Sequence, residues 1–393
     1  MRGWIPGGYA PSQRPERSAP DPNASPAAPS LLPNNFDYIR IFAATQVMVF
    51  HAVHHLGISA PGWTALLGPF SGVPVFFVTS GFLITASYER SRSSRSYAER
   101  RARRIIPGLW GCLAVTALVL LLLGYPILTG HGMRWLLAQF AFLLYTPAFL
   151  RDFGFGSYNG SLWTIPVEIQ FYVTVPILSW FLNRCGRRAT VLGLLLVAAW
   201  VLALVIRLIF PSVTGMFEGQ ETLPAKLVRY AFISHYHLFL AGAACYYLAL
   251  HSHRLLRGKL LSWVALLFAI TTFGGTSTAA IMCAQAALAA ATISAAYTFV
   301  RRNLLHATDI SYGTYLYHGL VLNIFVELGA VGREIYLYAV MAISYLAGFL
   351  SWHLVERRFL ARAAGRASGP EQPLDSAAGA SRSRPVRAPS PGE

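Results

Sequence analysis

Eleven stretches of this chain are apolar over roughly the length of a bilayer's hydrocarbon core. They cover about 36–56, 66–88, 106–124, 134–150, 162–182, 190–210, 231–250, 260–274, 277–299, 310–328 and 335–355. A helical span takes about 20 apolar residues, and several of these stretches fall short of that. Backbone N–H and C=O groups find no partner in hydrocarbon, so each true span has to be a helix. The fold class expected is therefore an all-α integral membrane protein with about ten transmembrane helices, ten to eleven by this count. Composition agrees: 55% of the 393 residues are hydrophobic and 12% are charged, against about 25% charged in a soluble domain.

Arginine placement orients the spans. The connection after the second stretch holds Arg90, Arg92, Arg95, Arg100, Arg101, Arg103 and Arg104, and further basic residues follow at Arg184, Arg187, Arg188, Arg254, Arg257, Lys259, Arg301 and Arg302. If 134–150 does not cross, all of these lie on one side, as the positive-inside bias requires, and both tails are cytoplasmic. The net charge of +16 thus reads as membrane topology, with the lipid bilayer as partner and no nucleic acid. Residues 1–35 and 361–393 are rich in Pro, Ala and Ser and read as disordered tails flanking a transmembrane domain at 36–360. Residues 1–35 have no apolar core of a cleavable signal, and four cysteines without CxxC spacing imply no disulfide framework.

The first span places Arg40 and His51 eleven residues apart. Three helical turns take 10.8 residues, so both project from one face, roughly 16 Å apart along the axis. An ionisable group at membrane depth is costly and points to a task, less strongly for a histidine, which can be neutral. The other reading is a core histidine bonded to a neighbouring helix. His51 and His55 share a face at metal-ligand spacing, but no third ligand is evident, and no metal is expected. In SLWTIPVEIQFY (161–172), Glu168 lies inside an apolar span, with Tyr172 one turn further and Trp163 before it. A His51–Glu168 pair would orient the imidazole and raise its basicity, as general bases require. Arg100, Arg101, Arg103 and Arg104, with Pro107 at a helix start, offer guanidinium forks for a phosphate-bearing ligand, or are simply a basic loop. Ser80 and Gly81 in FFVTSGFLIT (76–85) permit close approach of either a helix or a ligand. ISYGTYLYHGL adds Tyr315 and His318 one turn apart.

Together these pieces resemble the membrane acyltransferase 3 family, whose members O-acylate polysaccharides, lipopolysaccharide, Nod factors and some antibiotics. The Arg40–x10–His51 pair, FFVTSGFLIT, RRARRIIP, NGSLWTIPVEIQFY, ISYGTYLYH and SWHLVERRF occur in family order across residues 34–360. The resemblance implies that Arg40 and His51 are the essential pair and that Arg101 and Arg103, with Arg104 adjacent, bind acyl-CoA. It also implies conserved acidic and aromatic roles for Glu168 and Tyr172, and matches Glu356 to a terminal Glu-Arg-Pro-Phe element, although Arg358 stands where proline is usual. No esterase-like domain, such as some members carry, is expected after the membrane unit, and handover of the acyl group is then expected to fall to the membrane core.

The function expected is transfer of an acyl group, by family habit acetyl, from acyl-CoA to a hydroxyl of a cell-surface or exported glycan at the inner membrane. No bound cofactor is expected; acyl-CoA is a substrate and the glycan a partner. His51 is either the general base or a covalent acyl carrier. A proton-coupled transporter or flippase using Arg40, His51 and Glu168 is the alternative, and a non-catalytic scaffold the third reading. Oligomeric state is not legible.

Overall fold

A computed structural model of the chain describes residues 34–143, 145–210, 223–298 and 308–360. The expected tails lie outside the described residues except for Asn34 and Asn35, as do Arg301 and Arg302. All regular structure among the described residues is helical: α1 (Phe36–His55), α2 (Gly72–Glu89), α3 (Ser94–Leu122), α4 (Gly130–Phe140), α5 (Thr164–Arg184) and α6 (Arg188–Ile209). The second half holds α7 (Leu223–Tyr230), α8 (Tyr236–Tyr247), α9 (Leu260–Phe273), α10 (Thr278–Tyr297), α11 (Ser311–Glu327) and α12 (Ile335–Ser351).

Six segments are long and apolar enough to cross a membrane: Gly62–Glu89, Ser94–Leu122, Gly160–Arg184, Arg188–Ile209, Thr278–Tyr297 and Ile335–Leu360. The protein is a multi-pass membrane protein. Six is fewer than the ten or eleven expected from apolar stretches, and packing explains the difference. Every residue from Ser311 to Asn323 of α11 is buried, whereas α6 buries only Leu192, Ala199 and Ala203. A helix enclosed by other helices meets no lipid, so α11 tolerates polar residues that lower its hydropathy. α8 and α9, with 12 and 14 residues, are shorter than the roughly 20 of a single-helix span.

The fourth stretch turns back on itself. α4 has 11 residues, about 16 Å of helix against about 30 Å of hydrocarbon. Its end lies beside the middle of α3, where Trp110 Nε1 donates to the Phe140 carbonyl at 3.2 Å. The chain then reverses through Phe142, which adopts a φ of 65°. Backbone groups freed by this reversal are satisfied from within: Gln139 Nε2 donates to the Leu143 carbonyl at 3.0 Å and Trp135 Nε1 to the Tyr145 carbonyl at 3.0 Å. Gln139 and Trp135 are both fully buried, which is how non-helical backbone is tolerated inside a membrane protein.

α3 also corrects the sequence reading. Pro107 lies inside a continuous 29-residue helix rather than at its start. The helix begins at Ser94, and Ser93 caps it by accepting from the Ser96 amide at 3.2 Å. At about 43 Å, α3 outlasts the hydrocarbon, so its arginine-bearing turns stand at the membrane edge as helix.

Gly81 lets helices touch. α2 packs on α8, and a Cβ at Gly81 would overlap the Phe239 carbonyl oxygen, as one at Gly242 would overlap that of Val78. Both obstacles are backbone and cannot swing aside. Gly81→Ala is expected to lower stability by about 1–3 kcal/mol, measured as a reduced melting temperature in detergent. An unaltered melting temperature would show that the crossing is looser than this geometry.

Candidate active site

Helix ends gather the charged groups at one end of the bundle. Asp309, just before α11, accepts hydrogen bonds from both Arg40 of α1 and Arg104 of α3, and from Ser311. Arg104 also reaches Glu356 at 3.4 Å, whose other oxygen accepts from Ser351 Oγ at 2.9 Å. Glu356 is brought inward because Trp352–Glu356 forms a π turn continuing α12, so residues five apart bond across it. The cluster sets two guanidiniums against two carboxyl groups. Burial pushes the Asp309 carboxyl up, but the Arg104 and Arg40 guanidiniums and the Ser311 bonds outweigh it and bring it down to about 2. A depressed carboxyl contributes stability above its ordinary range and loses it only as pH falls through about 2, so Asp309 stays charged at physiological pH. Arg104 is thus held by two carboxylates. Arg101 stands over the Tyr172 ring, 5.9 Å from its centroid, and Arg103 makes no ion pair among the described residues.

Deeper along α1, His51 faces the bundle and not lipid. Its Nδ1 lies 3.2 Å from His318 Nε2, and the rings are 5.3 Å apart. His318 is completely buried, and its Nδ1 lies 2.7 Å from the Tyr315 carbonyl oxygen. A carbonyl only accepts, so His318 carries its proton on Nδ1, and the Nε2 of the neutral ring is bare. That bare nitrogen accepts from His51 Nδ1–H; Ser161 Oγ lies 3.1 Å from it but spends its one proton on Asn159 Oδ1. His51 Nε2 is then left unprotonated, with its lone pair available. The chain of bonds fixes the tautomer a general base needs.

α5 carries a polar stripe alongside. Ser161, in the turn leading into α5, meets His318; Thr164 donates to the Tyr315 hydroxyl at 2.9 Å; Glu168 faces Ser80 Oγ at 3.5 Å; and Tyr172 donates to Glu168 at 2.8 Å. Spacings of three and four place these groups on one face, running from Arg101 to the histidine pair over about 16 Å. The stripe matches the Arg40-to-His51 separation on α1.

The expected His51–Glu168 pair is not formed. Glu168 lies on α5 nearly two turns beyond Ser161 and is occupied by Tyr172 and Ser80, while His318 takes the orienting position. Trp163 turns the other way, with its ring 5.3 Å from His235 and 6.4 Å from Phe77. Gly81 serves the α2–α8 contact rather than a ligand. His55 stacks on Phe155 at 3.8 Å. Asp309 escaped the sequence reading because an acid at a span boundary looks like any solvated loop residue. The only cue was its place directly before ISYGTYLYH.

A family profile described as an acyltransferase domain matches residues 34–353. The chain belongs to the acyltransferase 3 family. It is 35% identical over 355 residues to nodulation protein 10 of Rhizobium leguminosarum bv. viciae, covering 82% of this chain and 92% of that protein. It is 27% identical over 362 residues to an O-acetyl transferase of Shigella phage Sf6, covering 85% and 98%. A putative peptidoglycan O-acetyltransferase of Bacillus subtilis matches at 23% over 82% of this chain and 54% of its own length. No solved structure matches. Membership of this family makes the chain an acyltransferase enzyme.

Proposed function

We propose that the protein transfers an acyl group, in the simplest case acetyl, from acyl-CoA to a hydroxyl of a cell-surface or exported glycan. The observation that carries this reading is the tautomer-fixed His51–His318 pair at the inner end of an arginine-edged polar stripe. Donor phosphates bind at the arginine end through Arg101 and Arg103, while Arg104 is the buried anchor of that end. The thioester lies along the stripe past Arg40. His51 Nε2 takes the proton of the acceptor hydroxyl as its oxygen attacks the thioester carbonyl. The C–S bond breaks, and the proton passes to the departing thiolate. In the covalent version His51 Nε2 itself takes the acyl group and passes it to the hydroxyl.

The glycan reading draws on relatives named as O-acetyltransferases, two kinds of them of peptidoglycan. Grouping of the arginine-bearing helix ends supports ten crossings in an inner membrane, with α4 an excursion and both tails on the cytoplasmic side. In a strain lacking the gene, ester-linked acyl groups on the surface glycan are expected to disappear and to return on complementation. If the glycan keeps its acyl groups while its export changes, the protein is a transporter. An acyl-protein adduct trapped with donor alone, and missing in His51→Ala, would select the covalent route.

A further inference from the structure

The end of the bundle opposite the arginines holds a cavity of about 480 Å³ at the start of α4. This is within the 300–1,000 Å³ of small-molecule sites. Its lining combines the Tyr145 and Phe149 rings with Thr129, His131 and Arg134. Aromatic faces beside hydroxyl, imidazole and guanidinium donors suit a sugar, whose C–H face stacks on a ring while its hydroxyls bond around the edge. The wall is rigid. Trp135 holds the Tyr145 carbonyl at 3.0 Å and packs edge-on against Phe149 at 6.1 Å. Arg134 is itself steadied through Nε on the Gly130 carbonyl at 3.0 Å.

The same strand of chain joins this cavity to the histidine pair. Six residues on from Phe149, the Phe155 ring lies flat on His55, one turn from His51. Further on, Asn159 and Ser161 enter the His318 network. Six residues reach at most about 20 Å. The cavity is therefore offset from the reactive nitrogen and tied to it by one short run of chain.

We propose that this cavity is a subsite for a sugar unit of the glycan acceptor other than the one that is acylated. The inference rests on the acyl-transfer reading above and adds a length requirement: acceptors long enough to fill the cavity bind better than short ones. Purified protein is assayed with acetyl-CoA and with fragments of the cell's own envelope glycan and N-acetylglucosamine oligomers, fractionated by length. For the wild type, the acceptor KM should fall as fragments lengthen. In Arg134→Gln, and separately in His131→Ala, KM for the longest accepted fragments should rise about tenfold with kcat retained, and the shortest fragments should be affected far less. Both residues are exposed, and a melting curve of each variant reports its folding. A KM that rises equally at every length, or not at all, overturns the subsite and leaves the acyltransferase reading standing. Wild-type protein that acylates no fragment overturns both.

Discussion

Acyl transfer by His51→Ala is expected to fall by about 10²–10⁴-fold, the range that a positioned general base contributes. The loss should appear in kcat, with the acceptor KM little changed, because the imidazole acts on a proton in the transition state. His318 is a positioning residue and gives the sharper test. His318→Leu removes the acceptor for His51 Nδ1–H, so His51 loses its tautomer and its orientation, at a cost of roughly 10²-fold. His318→Gln, whose amide oxygen can stand near the former Nε2, is expected to recover part of that loss. A His51→Ala protein that acylates at the wild-type rate removes the imidazole from the reaction. Equal rates for His318→Leu and His318→Gln would reduce His318 to a packing residue.

Asp309→Asn is expected to have the largest effect on stability. The carboxylate answers two guanidiniums, and its neutral replacement leaves Arg40 and Arg104 without the anion they share. Breaking a buried ion pair by removing one partner costs about 3–5 kcal/mol. The Arg40 side chain keeps 21% of its exposure, so water takes up part of its charge and the lower figure applies. Glu356→Gln should cost less, because Arg104 would keep Asp309 and Ser351 would keep an acceptor. Thermal unfolding in detergent reads both, and the order Asp309→Asn below Glu356→Gln below wild type is the expected result. If Asp309→Asn melts with the wild type, the clamp is not what seats α3 against α1 and α11. A loss of transfer at low temperature, where the variant is still folded, would add that the clamp also places Arg101 and Arg40 for the donor.

Much of this protein is legible in one dimension because each signal is local. Apolar runs announce membrane helices, arginine blocks mark one end, and a separation of eleven residues puts Arg40 and His51 on a shared face whatever surrounds them. The order of the motifs led to the family in the same way. Their number misled where a span is enclosed: α11 is buried from Ser311 to Asn323, so its hydropathy there obeys the site and not the bilayer. The excursion of α4 showed only indirectly, as the one stretch whose crossing would have split the arginine blocks between the two sides.

What joins to what was decided by packing. His51 and His318 lie 267 positions apart, and nothing in helical periodicity chooses His318 over Glu168 as the partner, since each is an ionisable residue on an apolar helix. The shared role of Asp309 and the inward turn of Glu356 follow from where the ends of α1, α3, α11 and α12 converge. Gly81 could have faced a ligand until the Phe239 carbonyl was found against it. A sequence specifies which face a side chain leaves its own helix from; the identity of the group that meets it is a property of the assembled bundle.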